Sequence, residues 1–259
     1  MAQVLSAHGQ KVVVKEFLAA LAVGTMSPSL KRTFLPKVMA SLIDGKRLML
    51  VSLDLEAYCP GDPRFHPDAL LLVAGMQKLV FEKWGMKVEK PAQYMADGKS
   101  SVEIAKLVHE YCEGADAILG HYSKWDVDIL RNYEPVLQAR YGGFIPLPAA
   151  MIDVMQPVRN LGISAGQEHI CSHYDLGVEK GKVNLEEWQD AAIGETWGLT
   201  KAQVMRARRR IRDERNKTCL AANLAEIAFI SQNARFMNKL TTKEVYPNVA
   251  KMEALLGEN

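Results

Sequence analysis

No stretch of this 259-residue chain is apolar for the length needed to cross a bilayer, and the start lacks a basic segment followed by an apolar core and a small-residue cleavage site. The expectation is a cytoplasmic protein with no membrane partner. Cysteine is scarce: Cys59, Cys112, Cys171 and Cys219 are scattered without C-x-x-C spacing, so neither a disulfide framework nor a cysteine zinc site is indicated. A reducing compartment fits. There is no internal repeat and no low-complexity tract. With 48% apolar and 24% charged residues the composition is that of a folded globular chain, disorder being expected only at the ends. Net charge is only +2, which names no partner, although one segment around Arg210 is strongly basic.

The most informative stretch is Leu48 to Glu56, Leu-Met-Leu-Val-Ser-Leu-Asp-Leu-Glu. Its apolar and β-branched run to Leu53 predicts a buried central strand, and period two then sets Asp54 and Glu56 on one face. Two adjacent carboxylates at a strand end raise each other's pKa and call for a cation, a hard divalent metal being the natural one. Taken alone, the same pair equally opens a polar loop from Ala57 to Asp68.

Around this strand the chain reads as α/β. Residues 1–46 are expected to form an N-terminal helical extension, with Val12, Val13, Phe17, Leu18 and Leu21 and then Leu35, Val38, Met39 and Leu42 at helical spacing. Such a pair of helices either caps the main domain or docks a partner. After the turn-rich Cys59-Pro60-Gly61-Asp62-Pro63, Ala69 to Val73 predicts a second strand; Leu79 to Phe81 and Met86 to Val88 predict a third strand or a hairpin. Ser100-Ser101-Val102-Glu103 has capping-box spacing and opens a helix bearing Ile104, Leu107, Val108 and Tyr111, which Gly114 closes. A short buried strand is expected over Ala115 to Gly120, another over Met151 to Val158, and helices over Gln167 to His173, Leu185 to Ile193 and Lys201 to about Lys239. The tail, 241–259, is expected to be loosely held.

An apolar strand ending in Asp-x-Glu, followed some seventy residues later by Gly120-His121-Tyr122-x-x-Trp125-Asp126-x-x-x-Leu130, resembles the DEDD (DnaQ-like) family of 3′-to-5′ exonucleases. The resemblance covers roughly Leu48 to Ile230. It implies a ribonuclease H-like mixed sheet flanked by helices over residues 47–240, behind the N-terminal helical extension. Asp54 and Glu56 match the family's first motif, Asp126 its second, and Asp153 the strand aspartate that tends to be structural there. By the same resemblance these acids, with a fourth, bind two magnesium or manganese ions that carry phosphodiester hydrolysis.

Two departures stand out. Tyr122 replaces the asparagine that usually touches the substrate strand. The last motif is also irregular, since its aspartate should follow a histidine by five residues or a tyrosine by four. Asp190 ranks first as that fourth ligand, Asn223 second and Asp213 third, and none brings the usual base. A lost general base lowers the rate by roughly 10²- to 10⁴-fold without abolishing it.

Between Lys201 and Lys217 lie Arg206, Arg208, Arg209, Arg210, Arg212 and Arg215, spread over more than half a helix surface. A phosphate backbone satisfies such a face; a merely solvated charged face is the competing reading. His121, Tyr122, Arg206, Arg209 and Arg210 are the residues expected at a nucleic-acid strand. Trp125 is expected in the core, and His66, His109, His169 and His173 show no ligand spacing. The function implied by the resemblance is exonucleolytic hydrolysis of single-stranded DNA or DNA 3′ ends, in proofreading or repair, with RNA also open as substrate and a DNA polymerase as a possible associate. The alternatives are a catalytically weakened nucleic-acid-binding or polymerase-associated module, and a structure-specific endonuclease.

Overall fold

Alternation along the central strand decides how the molecule is layered. In β1 (Leu48–Tyr58), Val51, Leu53 and Leu55 turn to one face, where they join Ile104, Val108, Val127 and Leu130 in the main apolar core. Ser52, Asp54 and Glu56 turn to the other. The computed structural model describes residues 47–59, 61–62, 66, 69–82, 85–148, 150–155 and 166–232. The expected N-terminal helices over 1–46 and the tail over 241–259 lie outside these.

The fold is α/β, a mixed six-stranded sheet flanked by helices. β2 (Leu70–Glu82) runs antiparallel to β1, and β3 (Gly85–Val88) and β4 (Ala92–Met95) both pair with the far edge of β2. The register slips by one residue between β3 and β4, where Pro91 sits on the outer edge without an N–H to donate. On the other side of β1, β5 (Ala117–Gly120) and then β6 (Ala150–Asp153) add in parallel. Helices α1 (Ser101–Tyr111) and α2 (Ser123–Tyr141) carry the apolar face. The opposite face is covered by α6 (Lys217–Gln232) over β1 and by α4 (Leu185–Ile193), with α3 (Gln167–His173) and α5 (Lys201–Arg210) completing the described helices.

Several sequence expectations meet the structure directly. Ser100 caps α1 through a reciprocal capping box with Glu103, and Asn184 and Thr200 do the same for α4 and α5. The strand expected over Ala115 to Gly120 begins at Ala117 and is buried throughout. Others need correction. The two segments expected at Ala69–Val73 and Leu79–Phe81 are one thirteen-residue strand. Gly75, Gln77 and Lys78, which look like a break, are accommodated because Gln77 donates to Glu89 O at 2.7 Å and Lys78 lies over the Tyr111 ring. The strand expected from Met151 ends at Asp153, and the single helix expected from Lys201 is interrupted by a π-turn, Ile211–Asn216. Residues 233–239 of that expectation lie outside the described ones.

Candidate metal centre

The centre begins where β1 outruns its parallel neighbour. Pairing with β5 ends at Ser52 opposite Leu119, and at the next step a Cβ on Gly120 would lie only 2.8 Å from Leu53 O. Glycine there lets the strand give way and α2 start beside β1. Beyond that point the Leu55 N–H lacks a β5 partner, and Asp126, in the first turn of α2, accepts it through Oδ1 at 2.8 Å. One hydrogen bond thus ties the second-motif acid to the strand backbone at the residue between the two first-motif acids.

Asp54 and Glu56 offer carboxyl oxygens within 4.8 Å of each other. Glu56 and Asp126 are buried, each 6% exposed. Burial, then the Asp54 charge, pushes both the Glu56 and the Asp126 carboxyls well above the usual carboxylate range. Asp54 is partly exposed, and desolvation still raises it against the opposing charges of Lys180 and Arg215. Three carboxyls held this way favour protons or a cation. Among the described residues, Asp54, Glu56 and Cys219 offer ligand atoms within 4.8 Å of one another, so this cluster can hold a metal ion. Burial and the two acids push the Cys219 thiol up, leaving it a neutral, weak donor 3.9 Å from Glu56 Oε1. The donor set is therefore one of oxygens, suited to a hard divalent ion.

The last motif's three candidates fall in different places. Asp213 is exposed and accepts two hydrogen bonds from Arg212, at 2.8 and 2.9 Å. Asp190 sits half-buried on α4, its carbonyl capped by the Gly194 N–H, and no hydrogen bond or ion pair joins its side chain to the three acids among the described residues. Asn223 is buried beneath β1, donating to Ser52 Oγ at 3.2 Å and accepting from the His121 N–H at 3.2 Å and Gln167 Nε2 at 2.7 Å. The side chain that does reach Asp54 is Asn216, at the end of the π-turn, whose Nδ2 donates to Asp54 Oδ2 and to Asp54 O, both at 2.9 Å. Sequence reasoning missed it.

His121 and Tyr122 lie at the start of α2. His121 Nδ1 is 3.0 Å from Glu226 Oε1, a fully buried carboxylate that also accepts from Gln167 at 3.2 Å. Tyr122 is exposed and takes the left-handed conformation, φ 60 and ψ 40, with its N–H donating to Asp153 Oδ1 at 2.8 Å. Asp153 accepts the Met155 N–H as well, at 3.0 Å, and so holds the turn. Trp125 packs against the core.

The arginines divide by role. Arg208 is tied to the carbonyls of Ala191 and Ala96, Arg210 to Glu187 and Glu214, and Arg212 to Asp213. Arg215 Nε stands 3.8 Å from Glu56 Oε1 and so belongs to the acid cluster. Arg206 and Arg209 are exposed, with no hydrogen bond or ion pair to another described residue. Lys180, whose charge reaches Asp54 and Glu56, donates to Gln167 Oε1 at 3.1 Å. It also lines a cavity of about 730 Å³ with Glu168, Cys171, Asp175 and Lys182, within the range of small-ligand sites.

No described helix is long and apolar enough to cross a membrane. Comparison with protein-family models and with curated proteins finds no match for this chain.

Proposed function

We propose that this chain is a metal-dependent phosphodiester hydrolase with a ribonuclease H-like domain, acting as a 3′-to-5′ exonuclease on single-stranded DNA or fraying DNA 3′ ends. The observation that carries this reading is the Leu55 to Asp126 hydrogen bond, which brings an acid from a motif seventy residues away to the strand bearing Asp54 and Glu56, near enough for the Asp54 charge to raise it, while standing outside the 4.8 Å cluster of Asp54, Glu56 and Cys219. A central strand antiparallel to one neighbour and parallel to the other supports the fold assignment.

Asp54, Glu56 and Asp126 are the residues that would hold the divalent magnesium or manganese, which the resemblance puts at two ions. Bound there, the metal supplies an activated water at neutral pH and charge neutralisation of the leaving oxygen. The chain's own groups do the rest. Lys180, at the junction of the acids and the cavity, binds a phosphate on the terminal nucleotide. Arg206 and Arg209 are placed to steer the strand by its backbone charge, at a salt-dependent strength. Tyr122, exposed at the start of the helix that carries Asp126, offers a face on which a base stacks.

A second reading rests on Asn216 and Asn223, amides where a fully equipped site would carry acid and base: a nucleic-acid-binding or polymerase-associated module with weakened activity. Digestion of a 5′-labelled single-stranded DNA oligonucleotide, and of matched RNA, with magnesium or manganese separates the two. The exonuclease gives a metal-dependent ladder shortening from the 3′ end, lost in Asp54→Ala. No cleavage of either strand by the wild-type chain overturns it in favour of the binding module, and cleavage of circular single strands would mark an endonuclease.

A further inference from the structure

Asn216 is fully buried at the end of the π-turn, and the sheet is shaped to receive it. Asp54, Gly75 and Gln93 form one row across β1, β2 and β4. Gly75 is the notch in this row, because a Cβ there would meet Asn216 Oδ1 at 2.2 Å and Leu220 Cδ1 at 2.8 Å. On one side of the notch Gln93 Nε2 donates to Asn216 Oδ1 at 2.8 Å; on the other, Asn216 Nδ2 donates to Asp54. The Asp54 carbonyl can only accept and so fixes which way the amide faces: the group turned toward Asp54 is a donor and no metal ligand.

The other acids are likewise contacted by the chain itself. Asp54 Oδ2 is engaged by Asn216, Asp126 Oδ1 by the Leu55 N–H, and Glu56 Oε1 faces Arg215. With the charges of Lys180 and Arg215 already beside Asp54 and Glu56, the three carboxylates leave less negative charge than one divalent ion neutralises. Resting on the metal reading above, we infer that Asn216 stands in the fourth ligand's corner as a positioning residue, holding Asp54 by one oxygen and restricting the free protein to a single divalent ion. Lys180 and Arg215 take the place of the second positive charge.

The test is the stoichiometry of Mn²⁺ binding to the metal-stripped full chain, read by the electron paramagnetic resonance of the free ion, with folding checked by circular dichroism. The wild type is expected to take one ion. Asn216→Asp, which puts a carboxylate in the same corner, is expected to take two. Asn216→Ala, which leaves Asp54 unfixed, is expected to keep one ion at roughly 10-fold weaker affinity. Two ions on the wild type overturn the inference while leaving the metal reading intact; no binding by the wild type removes both. Should Asn216→Asp fail to fold, the alanine variant decides: unchanged stoichiometry and affinity there overturn the role of Asn216.

Discussion

Tyr122 shows how a single residue can be out of register with its backbone. A non-glycine residue in the left-handed region costs roughly 1–2 kcal/mol, with asparagine among the residues that bear it best. The structure holds Tyr122 there because Asp153 accepts its N–H. Tyr122→Asn, which places in this conformation a residue that bears it more easily, should raise stability by about 0.5–1 kcal/mol, or roughly 1–4 °C in thermal denaturation. A fall would show that the exposed ring contributes packing worth more than the strain. Asp54, Glu56 and Asp126 were legible in sequence because acids at the end of an apolar run, and in a spaced motif, contradict their surroundings. Asn216 was not, since an amide inside Ile-Arg-Asp-Glu-Arg-Asn reads as one more polar surface residue. Its burial depends on Gly75, 141 positions earlier, and no local pattern reports that.

At the scale of elements, the segment from the π-turn into α6 was expected as plain helix, and composition gives no sign of the one-residue widening that a π-turn introduces. A signal was nonetheless available. Asn216, Cys219, Asn223 and Glu226 recur at steps of three, four and three, and all are buried. A stripe at core spacing made of an amide, a thiol, a second amide and an acid implies a polar surface opposite, which β1 supplies with Ser52, Asp54 and Glu56. β2 was misread partly for the same reason, since Gly75 and Gln77 face this layer beside Asp54 and Ser52, whereas Lys78 faces α1. Glu226, at the far end of the stripe, is fully buried. Glu226→Ala would leave His121 Nδ1 without its partner and Gln167 with Asn223 alone, and should cost about 3 kcal/mol, roughly 6–12 °C, with Glu226→Gln losing distinctly less. Equal melting temperatures for alanine and wild type would mean that the network contributes nothing.

For the whole molecule, the three acids couple stability to pH and metal together. Their carboxyls are raised in the folded state, so the native chain keeps protons that the unfolded chain releases above about pH 4. The stabilisation is complete below that pH and declines as pH climbs through the elevated folded values. The metal-free protein should therefore melt at a lower temperature at pH 8 than at pH 5. Mn²⁺, displacing those protons, should raise the melting temperature more at pH 8 than at pH 6. In Asp126→Asn the metal-free decline should be shallower and the Mn²⁺ increment smaller; a metal-free melting temperature that climbs from pH 5 to 8 would contradict the proton-retaining site. The sheet's borders have a different bearing on the molecule. Its described outer strands are four residues each, and β3 and β4 are separated by the register slip at Pro91. Neither border presents a long straight row of backbone donors and acceptors to a neighbouring chain. At high concentration the described sheet therefore offers little template for edge-to-edge aggregation, even though its centre is continuous β-structure from Leu48 to Tyr58.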